Sequence, residues 1–586
     1  MDSRLGQGRR GGRLGWRAWV VLGAAWFATL EVRPLLDPDE GRYAEIPREM
    51  LASGDWITPR FDGLKYFEKP PLQYWATAAA YRAFGLEQWS SRLWSVGLAF
   101  ACLPLVFTWV ARLYGRDGAL LALTALAVSP FFVIVGHLNL LDGGFTFWLT
   151  AAVLAFTLAQ SAPPASAAER GWMLAAWGAG ALAVLSKGIV VGVLAAAALI
   201  LYSLSERDTH TWRRLHPGAG LALFTAVAAP WFVVVSLRNP SFPGFFFVHE
   251  HFTRFLTTVH QRVEPWWYFL PLLLLGVLPW IAPLVRGCRR AWRDAAPDTA
   301  PAAAAAGSGT APFKPLKFLL IFAAVTLVFF SASGSKLAPY ILPMLPVLAA
   351  VTGAVSGAGE ELARHAARIG AALVVVIAAG LLVYSARRNS YVPHQALWWA
   401  LTGALAALPA VAVSFMRQAS IQRSAPLVTA ASAILAWQCL LCAYTVIPPA
   451  RSARDLVSAA RAFIGARTPL YSVGQYRETL SPYLGRTLQL VGFEGELRFG
   501  LQEQPDRRMA LPQFAARWSA GGDAVAFFDP GVWDEWRRQG LPGRVIAADN
   551  YTVAVSRLCS LPILPSCRVA CCSTRWRSWG SKPPRA

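Results

Sequence analysis

The sequence predicts an all-α polytopic membrane protein of about 13 transmembrane helices with a small C-terminal α/β domain. Three observations lead there. Apolar residues make up 55 % of the 586 and charged residues only 15 %, where a soluble domain carries about 25 % charge; mean hydropathy is +0.40. The apolar residues gather in runs of roughly 17–24, the length that crosses about 30 Å of hydrocarbon. Beyond residue 451 the runs shorten to strand length. The same composition excludes disorder, and 8 Cys in a chain of this length exclude a disulfide scaffold. The 25 Trp and 40 Pro suit a bilayer, where Trp anchors at the interface and Pro is tolerated inside spans.

The long runs lie near 16–33, 89–112, 117–135, 141–160, 171–186, 188–204, 218–237, 266–286, 315–332, 338–357, 368–385, 395–414 and 426–447. Arg4, Arg9, Arg10, Arg13 and Arg17 place the N-terminus in the cytoplasm. No A-x-A site follows Leu30, so the first run is expected to be an uncleaved anchor. Counting spans from there, the loops at Arg112/Arg116, Arg207/Arg213/Arg214, Arg286/Arg289/Arg290/Arg293 and Arg417/Arg423 fall inside. Arg387-Arg388 is the exception, on the outer side, and the C-terminal region is left outside. This bias accounts for the net charge of +22. Its partner is lipid headgroup, not nucleic acid, for which no reader motif is present.

The first outer loop, 34–88, holds a helix near 39–53, opened by Asp37-Pro38 and closed by Gly54. Its stripe of Ile46, Met50 and Leu51 predicts a helix lying in the interface plane, although Pro47 should kink it. An Ala/Pro/Gly/Ser linker covers 295–312. Residues 1–450 thus form the membrane domain and 451–556 the α/β domain. Its strands are expected at Leu470–Val473, Leu488–Val491, Ala524–Phe528 and Tyr551–Val555, with helices at 451–464 and 531–539. Residues 557–586 are a Cys-, Pro- and Arg-rich tail without periodicity. Cys439 and Cys442 have C-x-x-C spacing but no second pair, which reads as small core residues.

Unusual polar groups collect on one face. They are Asp37, Asp39, Glu40, Arg42, Tyr43, Glu68 and Lys69 in the first loop; His137, Asn139 and Asp142; Lys187; His249, Glu250, His251 and Arg254; and Lys336 with Tyr340. Ionisable residues at membrane depth are costly and usually functional. Bland readings stand beside this one. Asp39-Glu40 could serve the helix dipole, Glu68-Lys69 could be a local ion pair, and Asp142 and Lys187 could snorkel. His249 and His251 could be core residues or metal ligands. Lys and Arg at a membrane surface suit phosphate, and a carboxylate beside them suits developing positive charge, a metal ion or a proton. Trp56, Tyr66, Trp75, Trp266, Trp267 and Tyr268 suit a sugar ring or headgroup. No P-loop or dinucleotide motif appears, so no nucleotide cofactor is expected.

The run Asp37-Pro38-Asp39-Glu40-Gly41-Arg42-Tyr43-Ala44-Glu45-Ile46-Pro47-Arg48-Glu49-Met50, then Gly54-Asp55-Trp56, then Lys65-Tyr66-Phe67-Glu68-Lys69-Pro70-Pro71, resembles the bacterial 4-amino-4-deoxy-L-arabinose lipid A transferases. These are membrane glycosyltransferases of GT-C type, related to protein O-mannosyltransferases. The likeness extends more loosely through Asp142, Ser186-Lys187-Gly188, His249–Phe255 and Lys336–Tyr340. It implies an inner-membrane enzyme with a periplasmic site, an undecaprenyl-phosphate sugar donor and a lipid A phosphate acceptor. It implies Asp39 as catalytic carboxylate, with Glu40, Glu68 and Lys69 beside it. Arg42, Tyr43, Tyr66, Asp142, Lys187, Arg254, Lys336 and Tyr340 would bind substrate or phosphate. A divalent metal, Zn or Mg/Mn, would sit on Glu68 with His249 or His251. The alternatives are a protein O-glycosyltransferase on the same fold and, in a different class, a lipid or ion transporter. Transport sites sit near the midplane of repeated halves, and this sequence has neither feature.

Overall fold

The computed structural model describes residues 14–253, 264–293, 312–355, 359–387, 394–416, 418–446 and 451–557. Arg254, most of the Ala-rich linker, Arg388, Arg417 and the tail lie outside them, as do the side chains of His251 and Arg387. Each predicted apolar run is helical. Seven helices among the described residues are long and apolar enough to cross a membrane: Gln88–Val128, Leu141–Ser161, Pro217–Arg238, Phe269–Trp292, Pro315–Ala332, His394–Phe415 and Ser424–Thr445. Val190–Glu206, Ala338–Gly353 and Arg368–Gly380 are shorter apolar helices.

The N-terminal part runs α1 (Trp16–Phe27), α2 (Asp39–Ser53), a hairpin of β1 (Arg60–Phe61) and β2 (Leu64–Lys65), α3 (Leu72–Phe84), α4 (Gln88–Val128), α5 (Pro130–Gly136), α6 (Leu141–Ser161), α7 (Ala167–Lys187) and α8 (Val190–Glu206). The predicted break inside α4 is a kink at Gly115, whose φ of 83° is open to glycine and strained for other residues. From Gly118 to Val128 every residue of α4 but the half-buried Leu120 is buried, because α6, Met344–Gly353 and the last span pack around it. Large apolar side chains such as Leu204, Leu237, Val328 and Leu405 stay exposed on the outer helices, where lipid takes the place of water. Cys439 and Cys442 are buried, free thiols, as their apolar surroundings suggest.

The C-terminal unit is a five-stranded sheet of order β4-β3-β5-β7-β6. β3 (Leu470–Val473) is flanked in parallel by β4 (Gln489–Val491) and β5 (Val525–Phe528), and β7 (Val553–Ser556) and β6 (Arg544–Ala548) close the edge antiparallel. Every residue of β3 and β5 is buried, as expected for parallel strands covered on both faces. The strand at Arg544–Ala548 escaped the sequence reading; it is the edge of the sheet, and its residues are exposed or half-buried.

In the first loop α2 does not leave its apolar stripe uncovered: ten of its fifteen residues are buried within the protein. Ile46 and Met50 face inward, Tyr81 Oη of α3 donates to the Ala44 carbonyl, and the C-terminal domain covers the opposite side. Gly41 meets the backbone of Glu478 so closely that a Cβ there would come within 2.5 Å of it. Pro47 sits inside an unbroken helix, and Gly54 closes it at φ 72°.

Candidate functional site

Helix α2 carries two sets of charges. Glu40 faces the membrane domain, where Arg92 donates to it from Nε at 2.8 Å and Nη2 at 3.0 Å. The backbone N–H groups of Asn139 and Leu36 donate to the same carboxylate at 2.9 and 3.1 Å. Burial alone would raise the Glu40 carboxyl, but the charge and hydrogen bonds of Arg92 outweigh it and hold it low. With its oxygens committed to four donors, Glu40 ties the loop to α4. His137 and Asn139 are likewise engaged. The His137 ring meets the carbonyls of Val133 and Trp26 at 2.5 and 2.8 Å, and Asn139 Oδ1 accepts from Gln73 at 2.9 Å.

One turn along, Asp39 and Arg42 look the other way. Arg42 Nη1 donates to Asp39 Oδ1 at 2.7 Å, while Nε and Nη2 grip Glu496 of the C-terminal domain. The guanidinium also lies 5.8 Å from the ring centres of both Tyr43 and Tyr66. Tyr43 stands 6.2 Å from Tyr74, ring to ring. Burial drives the Tyr43 and Tyr66 hydroxyls well above their usual range, with the charge of Asp39 adding to it at Tyr43 and that of Glu68 at Tyr66. Asp142 is also among the charges felt at Tyr43.

A second cluster is a polar pocket of about 110 Å³ lined by Glu68, Lys69, Lys187, Glu250, Ser333, Ser335 and Tyr340. Lys187 is the last residue of α7 and Asp142 lies in the first turn of the antiparallel α6, so each charge suits its helix end. The two side chains pair directly, with the ammonium 4.4 Å from the Tyr340 ring centre. Lys69 Nζ donates to the Glu68 carbonyl at 2.9 Å and lies 3.6 Å from Glu250. Lys336 is buried and donates to the Ser333 carbonyl at 2.7 Å. Glu250 and His249 come from a π-helical turn, Gly244–Thr253, and approach each other to 3.6 Å. Among the described residues no three His, Cys, Asp or Glu side chains gather to hold a metal ion. The expected donors Glu68 and His249 therefore do not complete a metal set among these residues, and no step is derived through a metal.

A larger cavity, about 660 Å³, is walled by apolar side chains such as Leu149, Phe156, Trp177, Leu199, Phe232 and Phe322. Three elements line both it and the polar pocket. The α7–α8 turn gives Lys187 and Val190 to one and Ile189 and Val191 to the other. The π-helical turn gives Glu250 and Phe247, and Pro315–Ala332 gives Phe330 and Phe322.

Sequence reasoning missed Tyr74, Glu478, Glu496 and Phe499. Tyr74 follows the rigid Pro70-Pro71 on the buried face of α3, a signal that was available. The other three lie some 390 residues or more beyond the first loop and carry no local signal. Phe499 packs its ring 5.7 Å from Phe67 and 4.1 Å from Phe245, bridging the first loop and the π-helical turn.

Comparison with known proteins follows the same division. A family described as dolichyl-phosphate-mannose-protein mannosyltransferase matches residues 21–246, and one described as aminoarabinose transferase C-terminal domain matches 456–557. The undecaprenyl phosphate-alpha-4-amino-4-deoxy-L-arabinose arabinosyl transferase of Aeromonas salmonicida is 33 % identical over 331 residues, which is 56 % of each chain. Its namesake from Pseudomonas aeruginosa is 34 % identical over 57 % of this chain and 58 % of that one. The matches thus span little more than half the length of these curated relatives. The crystal structure of ArnT from Cupriavidus metallidurans bound to undecaprenyl phosphate superposes with a TM-score of 0.81 at 31 % identity. It covers 93 % of this chain and 98 % of that one. The apo form gives 0.79 at 32 % identity.

Proposed function

We propose a reaction from one premise: this chain belongs to the aminoarabinose transferase family of GT-C membrane glycosyltransferases. The reaction is transfer of 4-amino-4-deoxy-L-arabinose from undecaprenyl phosphate to a lipid A phosphate at the periplasmic face of the inner membrane. The observation that carries it is the pairing of cavities. A lysine-bearing pocket and an apolar chamber share three lining elements, which suits a phosphate joined to a long prenyl chain.

Lys69, Lys187 and Lys336 hold the donor phosphate and take up the charge it gains on leaving. The anomeric carbon–oxygen bond to that phosphate breaks, and a new bond forms to an oxygen of the acceptor phosphate. That acceptor is already ionised near neutral pH and needs no general base. Asp39, fixed by Arg42, therefore acts on the positive charge that develops at the anomeric carbon. A single direct displacement inverts that centre. Undecaprenyl phosphate is released into the chamber it came from.

Purified protein given both lipids should yield lipid A heavier by one aminopentose and free undecaprenyl phosphate. The match over residues 21–246 supports a second reading, a protein acceptor on the same fold. Glycosylation of a Ser or Thr hydroxyl with lipid A left untouched would establish that reading and end the first.

A further inference from the structure

The two ends of this site differ in their balance of charge. At the phosphate end three cations, Lys69, Lys187 and Lys336, match three carboxylates, Glu68, Asp142 and Glu250. At the end beneath the C-terminal domain a single guanidinium, Arg42, is shared by Asp39 and Glu496, and Glu478 adds its charge to theirs. Burial first, and neighbouring carboxylates after it, hold Glu478 and Glu496 above the usual carboxylate range in spite of Arg42. A cation entering there would favour the ionised form of both carboxyls, whereas a phosphate would disfavour it.

A second feature marks the same place. The hydroxyls of Tyr66 and Tyr74 are buried and have no hydrogen-bond partner among the described residues. Both phenols feel the charges of Arg42, Glu68 and Glu496, so they border the acidic end. Buried donors without acceptors cost stability unless an incoming ligand satisfies them, and sugar hydroxyls do so.

We propose that Glu496, assisted by Glu478, binds the positively charged amino group at C4 of the donor sugar and selects an amino sugar over a neutral one. This rests on the reaction proposed above. In a six-membered sugar ring C4 lies across from C1, so the ammonium and the phosphate ester point to opposite ends. Arg42 occupies one edge of the Glu496 carboxylate, and a carboxylate retains acceptor capacity beyond two hydrogen bonds. Both glutamates come from the C-terminal domain, so that domain is a specificity element and not only a cover.

The test compares two donors on the full chain in proteoliposomes, undecaprenyl phosphate carrying the 4-amino pentose or its 4-hydroxy counterpart. The measured quantity is the ratio of their kcat/KM values. Glu496→Gln should lower that ratio by about tenfold or more, the loss expected for one charge-assisted hydrogen bond. Glu478→Gln should lower it less, and Lys187→Ala should slow both donors alike. Glu496→Asp keeps the charge and should keep most of the selectivity. It carries the test together with Glu478→Gln if the Glu496→Gln variant does not fold. Equal losses on both donors would overturn the subsite and leave Glu496 as a support for Arg42. A wild-type protein that transfers the amino sugar to no lipid would instead remove the underlying reaction.

Discussion

The ion pairs around Arg92 and those around Lys187 use the same residue types toward opposite ends. Arg92 and Glu40 are sealed, with side chains 0 % and 2 % exposed, and every strong acceptor direction is filled. Lys187, the partner of Asp142, borders an open pocket, as do Lys69 and Glu250. A sealed pair fixes shape, and removing one partner strands a buried charge. An open pair can hand its cation to a stronger anion that enters. Access and the number of partners, not residue identity, separate the structural charges here from the chemical ones.

The largest expected effect tests that separation. Arg92→Ala should cost about 3–5 kcal/mol by leaving Glu40 buried alone, seen as loss of folded protein in size-exclusion chromatography and thermal melts. Lys187→Ala and Lys69→Ala should instead melt near the wild type and lower kcat by about 10²–10³-fold. A folded but slow Arg92→Ala beside an unfolded Lys187→Ala would invert the comparison. Next in size is Asp39→Asn, expected to cut kcat by roughly 10²-fold while leaving the KM for donor within a small factor. An equal rise in KM would make Asp39 a binding group. A smaller effect sharpens the comparison at the seam with the C-terminal domain. Burial pushes the Asp62 carboxyl up to about 7, although the Leu488 N–H and Ser481 hydroxyl donate to it. Its folded value lies above the ordinary 3.8, so its stabilising share is complete below that value and is lost as pH rises through about 7. Melting temperature should therefore fall by a few degrees between pH 5.5 and 8, and Asp62→Asn should flatten that slope. The smallest effect is expected of exhaustive chelation, because the described residues assemble no three-donor metal set. A rate that collapses with chelator and returns with zinc would assign one to the His249 turn.

How much of this was legible in the sequence depends on the range of the interaction. The apolar runs announce themselves because each satisfies its own backbone bonds and needs only length and composition. Lys187 and Asp142 stood out because a charge between two apolar runs must be explained locally. The burial of α2 was not legible. Its stripe of Ile46, Met50 and Leu51 read as a face turned to the membrane interface, but Arg42 is gripped by Glu496, 454 residues away, and the Asp37 carboxylate accepts from Arg477 and the Thr479 N–H across about as long a span. The surroundings of Glu40 were hidden for the same reason. A carboxylate at the start of a helix reads as cap or catalyst until Arg92 is brought against it.

The contact of Gly41 with the Glu478 backbone has a consequence for the order in which the protein is made. The helix bearing Asp39 is translated early and its cover last. At ordinary synthesis rates of about 5–20 residues per second, the roughly 440 residues between them take some 20–90 s to emerge. During that interval α2 is threaded across the membrane with its charged face uncovered, and Arg42 has no Glu496 to hold it. A ribosome that stalls between the last span and Glu496 leaves the membrane helices made and α2 without its cover. The candidate site around Asp39 and Arg42 is closed only once the C-terminal domain has been synthesised.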